Sequence, residues 1–82
     1  MLADELDYVL GVDSHRDRHA VCVLRASGEI VAEQELPADG AGYGRALALA
    51  KRKAPGRRLW AIEGTGSYGA GLARFLAGRG ER

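Results

Sequence analysis

Tyr8-Val9-Leu10-Gly11-Val12-Asp13-Ser14-His15 begins as an apolar strand and ends on an acid. Burying or half-burying a lone carboxylate costs several kcal/mol unless it is paired, hydrogen-bonded or neutralised by a cation. Asp-Ser is also ordinary turn chemistry, so Asp13 by itself reads equally well as a solvated residue where the strand stops at Val12. A second place in the chain repeats the pattern. Leu59-Trp60-Ala61-Ile62 is another apolar run ending on an acid, Glu63, with Gly64-Thr65-Gly66-Ser67 behind it.

The segments between these two places give the architecture. After Tyr8 to Asp13, the nearly continuous apolar run His19 to Leu24 reads as a second strand covered on both faces. Arg25-Ala26-Ser27-Gly28 closes a hairpin in which Gly28 supplies the positive φ of a tight turn. Glu29 to Leu36 follows as an edge strand, with Ile30, Ala32 and Leu36 on one side and Glu33 and Glu35 on a wet side. Pro37 ends this meander, and Asp39 caps a helix whose apolar stripe is Tyr43, Ala46, Leu47, Ala50 and Ala54. Pro55-Gly56 stops that helix. Arg58 to Ile62 forms the fourth strand. A second helix runs from about Tyr68, with Tyr68, Leu72, Phe75 and Leu76 on one stripe, Thr65 or Ser67 as cap, and Gly78 or Gly80 at its end. A helix between two strands of one sheet makes a right-handed crossover and leaves them parallel. With strand four beside strand one, Asp13 and Glu63 become neighbours at the carboxyl end of an open α/β sheet, the usual ligand position.

Size and composition bound the reading. The chain has 82 residues, 46% hydrophobic and 28% charged, which is one small globular domain. No apolar run reaches the roughly 18 residues a membrane span needs. The acidic start Met-Leu-Ala-Asp-Glu-Leu-Asp lacks the order of a signal peptide, so a cytoplasmic location is expected. Cys22, the one cysteine, reads as a small core residue rather than a nucleophile. Net charge is only +1, but residues 1–39 hold nine acids and three arginines, whereas residues 40–82 hold nine bases and two acids. That asymmetry points to a phosphate-facing surface on the second half, and the helix bearing Arg45, Lys51, Arg52 and Lys53 suits a nucleic-acid backbone. Solvated helix faces give the same composition.

Two adjacent acids repel, so one holds a proton or both share a cation. For an all-oxygen site the natural cation is Mg²⁺ or Mn²⁺, the ions that stabilise attacking and leaving oxygens at a phosphodiester. Zinc fits less well, because there is no cysteine pair and His15 and His19 read as surface or strand-end residues. Behind Glu63, the Gly64 to Ser67 turn at a helix start can offer backbone N–H groups to a phosphate, with Thr65 and Ser67 as contacts. These glycines can equally serve close packing.

Gly11-Val12-Asp13-Ser14-His15, Arg25-Ala26-Ser27-Gly28-Glu29-Ile30-Val31 and Ala61-Ile62-Glu63-Gly64-Thr65-Gly66-Ser67-Tyr68, leading to Leu72-Ala73-Arg74-Phe75-Leu76, resemble the amino-terminal domain of DEDD transposases of the IS110 and IS1111 group. The resemblance spans nearly the whole chain. It implies an α/β, ribonuclease H-like (RuvC-like) fold, with Asp13 and Glu63 as the first two of four catalytic, metal-binding acids that act on DNA, and a structured guide-type RNA as a further partner.

In the family the third and fourth acids follow a fifth strand, and a carboxy-terminal domain carries a nucleophilic serine. These 82 residues contain neither. The expected fold is therefore incomplete: a three-stranded antiparallel meander, a helix, a parallel fourth strand and a helix. Ser14 and Ser67 inherit no nucleophile role, and little or no strand transfer is expected of the chain alone. Strand four would be an exposed edge, with Trp60 and Ile62 short of neighbours, favouring marginal stability or a homo-oligomer. The rival enzyme reading is a piece of a sugar-kinase or actin-like ATPase, which also opens with a strand ending on Asp and a hairpin. Its first turn holds small residues against ATP phosphates, whereas His15, Arg16, Asp17 and Arg18 stand here. A non-enzymatic reading is a short product that binds nucleic acid or the full transposase as a decoy.

Overall fold

In the first strand, β1 (Tyr8–Ser14), the pleat sends alternate side chains to opposite faces, so Leu10 and Val12 are buried while Gly11 and Asp13 point the other way. The computed structural model describes residues 6–82; the first five residues of the acidic leader lie outside the described residues. Strand β2 (Arg18–Arg25) returns antiparallel, pairing Val12 with Val21 and Asp13 with Ala20. Gly28 closes the next turn with φ 99° as expected, and β3 (Ile30–Pro37) completes the meander.

The helix α1 (Gly40–Lys53) starts where Asp39 accepts a hydrogen bond from the Gly42 N–H at 2.9 Å. Gly42 lies directly against the Pro37 backbone, which seats the first turn of α1 on the end of β3. Ala46, Leu49 and Ala50 are buried against the sheet, and Ala54 follows as the buried C-cap residue. Strand β4 (Arg58–Ile62) is parallel to β1, Leu10 opposite Trp60 and Val12 opposite Ile62, and the sheet order is β3-β2-β1-β4. A second helix, α2 (Ala70–Ala77), contributes Leu72 and Leu76 to the same buried cluster as Leu10, Val12, Val21 and Trp60. Both helices thus cover one face of the sheet. The α/β architecture is that of a ribonuclease H-like fragment.

Four local expectations change. Ile30 does not join the core: the β2–β3 register slips at Val23/Leu24, so Leu24 pairs with Ile30 and the Ile30 side chain is 57% exposed. Tyr68 precedes α2 and is 55% exposed instead of lying on its buried stripe. Neither Thr65 nor Ser67 caps α2; its N-cap is Gly69, whose missing side chain lets it pack on the Glu63 carbonyl and Ile62. Trp60 is not short of neighbours. Its N–H donates to the Arg82 carbonyl at 2.8 Å and its indole N–H to Glu81 at 2.8 Å, and only 8% of the residue is exposed at this edge strand.

Candidate functional site

The β1–β4 pair is tied at both ends. At the amino end the Asp7 and Tyr8 N–H groups donate to the Arg57 carbonyl, and the Asp7 carboxylate accepts from the Arg57 N–H at 2.9 Å. The backbone bond and the nearby guanidinium hold the Asp7 carboxyl below its usual pKa. At the carboxyl end the Glu63 N–H donates to the Val12 carbonyl at 3.1 Å, and the Ser14 hydroxyl donates to the Glu63 carbonyl at 2.6 Å. Asp13 near the end of β1 and Glu63 directly after β4 therefore stand at the carboxyl ends of two adjacent parallel strands.

Both acids lie on the sheet face that the helices leave uncovered. They line a broad, shallow hollow with Glu33, Glu35, Cys22 and Gly11. Pairing sets Glu33 opposite Cys22 and Cys22 opposite Gly11, so small side chains floor the hollow and acids rim it. Glu35 is neutralised by Arg18 at 2.8 Å. The Asp13 carboxylate meets the His15 imidazole at 3.1 Å. Among the described residues the Glu63 carboxylate has no side-chain partner, and no group of three or more His, Cys, Asp or Glu is gathered closely enough to enclose a metal ion. Two exposed carboxylates on neighbouring strand ends are oxygen donors of the kind that hard divalent cations take.

Cys22 is half-buried on this open face rather than in the core between sheet and helices. Burial and the nearby Glu33 charge raise its thiol pKa, the opposite of what a nucleophile needs. His19 differs from its surface reading. Only 2% exposed, it stacks on Tyr43 with ring centroids 6.0 Å apart, and neither ring nitrogen has a hydrogen-bond partner. Burial lowers its pKa.

The predicted nucleic-acid contacts divide between two ends of the sheet. Thr65 and Ser67 lie in the 63–69 turn beside Glu63. There Gly64 takes φ 72°, and its carbonyl accepts from the Ser67 and Gly69 N–H groups at 2.9 and 2.7 Å, so the turn folds inward on itself. Lys51, Arg52 and Lys53 occupy the last turn of α1, which leads to the start of β4 at the amino end of β1. At about 3.3 Å per strand residue, Tyr8 to Asp13 separates them from the acids by roughly 17 Å. Arg45 is exposed near the amino end of α1, the helix that covers the opposite face of the sheet from the acids.

Four residues next to the acids were given no part in the site by the sequence. His15, two positions after Asp13 and just past the end of β1, sets its imidazole against that carboxylate, and the short spacing was visible in the sequence. Arg16 lies in the β1–β2 turn and Arg18 opens β2, both at the acid end because the hairpin closes there. Ser14 had no sequence signal, since its partner is 49 positions away.

A family model for DEDD transposases of the IS110 group, described as a transposase, matches residues 10–81, which include both acids and all of the elements above but the first two residues of β1. The chain belongs to this transposase family. A search of the curated proteins finds no match. Membership in a DEDD transposase family implies DNA as a partner and a divalent-metal requirement in general. No helix among the described residues is long and apolar enough to cross a membrane.

Proposed function

We propose that residues 1–82 form the front part of a transposase RuvC-like catalytic domain, in which Asp13 and Glu63 hold Mg²⁺ or Mn²⁺ at a DNA phosphodiester. The parallel pairing of β1 with β4, which brings these two acids to one end and one face of the sheet, carries this reading. A bound divalent ion would neutralise developing charge on the phosphodiester oxygens. The chain's own contribution is to hold the two carboxylates on rigid strand ends. Thr65 and Ser67 contact the nucleic-acid backbone beside Glu63, and Arg45, Lys51, Arg52 and Lys53 contact it from the helix side of the sheet. A structured guide-type RNA is the second nucleic acid this reading accommodates.

With two of four acids, the chain alone binds metal and nucleic acid without transferring strands. Titration with Mn²⁺ followed by electron paramagnetic resonance should show binding that Asp13→Asn and Glu63→Gln each abolish. Equal binding by both variants would remove the site. Metal-dependent DNA cleavage by these 82 residues, lost in Asp13→Asn, would overturn the inactivity of the isolated chain.

A further inference from the structure

The two residues flanking Asp13 each bind one main-chain group of Glu63, Val12 its N–H and Ser14 its carbonyl. On one side the Val12 carbonyl accepts from the Glu63 N–H at 3.1 Å; on the other the Ser14 hydroxyl donates to the Glu63 carbonyl at 2.6 Å. The main-chain pairing of β1 with β4 ends at Val12 opposite Ile62, so the Ser14 side chain is the tether beyond the last paired residues. Directly after Glu63 the chain turns through Gly64 at φ 72°, a conformation glycine adopts without steric penalty. A β-carbon on Gly64 would come within 2.7 Å of the Ser14 hydroxyl oxygen, so the turn is wrapped closely over that hydroxyl.

We infer that Ser14 is a positioning residue: its hydroxyl, bonded to the Glu63 carbonyl, fixes the direction of the Glu63 side chain relative to Asp13, and so sets the separation of the two carboxylates that share a cation. Without the hydroxyl, Glu63 keeps only its N–H bond to β1. With the N–H still held, the residue can then turn about its N–Cα bond, a rotation that carries the carbonyl, the Gly64 turn and the Glu63 side chain together. Groups that orient metal ligands typically change metal affinity about 10- to 100-fold when removed. The inference rests on the metal-site reading above, and the test separates the two.

Mn²⁺ affinity of the 82-residue chain is measured by paramagnetic resonance titration for the wild type, Ser14→Ala, Ser14→Thr and Asp13→Asn, with thermal unfolding by circular dichroism on each. Ser14→Ala is expected to weaken Mn²⁺ binding about 10-fold or more with little change in unfolding temperature, and Ser14→Thr, which keeps a hydroxyl, to restore it. Should Ser14→Ala fail to fold, Ser14→Thr against Ser14→Val makes the same comparison between side chains of equal shape. Wild-type affinity in Ser14→Ala, or equal affinity in the threonine and valine variants, overturns the positioning role and leaves the Asp13–Glu63 site standing. Absence of any Mn²⁺ binding that depends on Asp13 overturns both.

Discussion

Replacing Glu81 by alanine dismantles the best-connected ion pair among the described residues. Its carboxylate accepts from Arg58 Nε at 2.8 Å and from a second guanidinium nitrogen at 2.9 Å, and also from the Trp60 indole at 2.8 Å. The Arg58 and Glu81 side chains are only 15% and 12% exposed, unlike the other ion pairs, whose side chains are about half or more exposed. Exposed pairs contribute about 0–1 kcal/mol, whereas removing one partner of a buried pair costs roughly 3–5 kcal/mol, because a charge is left without compensation. Arg58 retains one bond, to the Ala54 carbonyl at 3.0 Å, and some access to water. The expected loss for Glu81→Ala is therefore below the buried-pair range, about 2–3 kcal/mol. A domain of this size has a total stability of roughly 4–12 kcal/mol, so the change is a large share of the whole.

Urea unfolding followed by far-ultraviolet circular dichroism measures the loss, and Trp60, the one tryptophan, reports locally by fluorescence. A double-mutant cycle with Arg58→Ala isolates the pair, with an expected coupling of about 1.5–2.5 kcal/mol. Coupling below about 0.5 kcal/mol would place the pair among ordinary surface contacts and refute the reasoning. The pH dependence gives a second check. Hydrogen bonds from Arg58 and then Trp60 lower the Glu81 pKa from its usual 4.5. As the folded pKa lies below the unfolded one, this contribution is complete above pH 4.5 and fades as pH falls toward the folded value. Glu81→Ala should flatten that limb.

Burial lowers the His19 pKa below 6.5, so the unfolded chain takes up a proton first and stability should fall as pH drops from 6.5 toward the lower folded value; His19→Phe should abolish this slope and leave neutral-pH stability equal or higher, as no hydrogen bond is lost. Gly42→Ala pushes a methyl into the Pro37 carbonyl and should lower stability by at least about 1–3 kcal/mol in urea melts, against the usual helical preference for alanine. Replacing Lys51, Arg52 and Lys53 together by glutamine should weaken binding to single-stranded DNA and reduce its salt slope in fluorescence anisotropy, while leaving Mn²⁺ affinity unchanged because the run lies at the far end of the sheet. An unaltered salt slope would remove that helix end from the nucleic-acid surface.

The sequence by itself determined the element order and the placing of Asp13 and Glu63 at two strand ends. Period-two burial along Leu10 and Val12, the Gly28 turn, the Asp39 cap and the helical crossover into Arg58–Ile62 are local or nearly local effects, and they dictate a parallel β1–β4 pair with Asp13 and Glu63 at its end. The tertiary structure decided what depends on partners distant in sequence. A register slip in the β2–β3 pairing exposes Ile30, which alternation alone places inside. His19 is buried because α1 brings Tyr43 over it, and polarity gives no warning of that. Basic character placed Lys51 to Lys53 on a nucleic-acid surface, but the direction of α1 along the sheet sets them at the opposite end from the acids. Ser14 is an unremarked turn serine until β4 arrives beside β1. Its role comes from a hydrogen bond spanning 49 positions, and a contact of that kind exists only once the strands have paired.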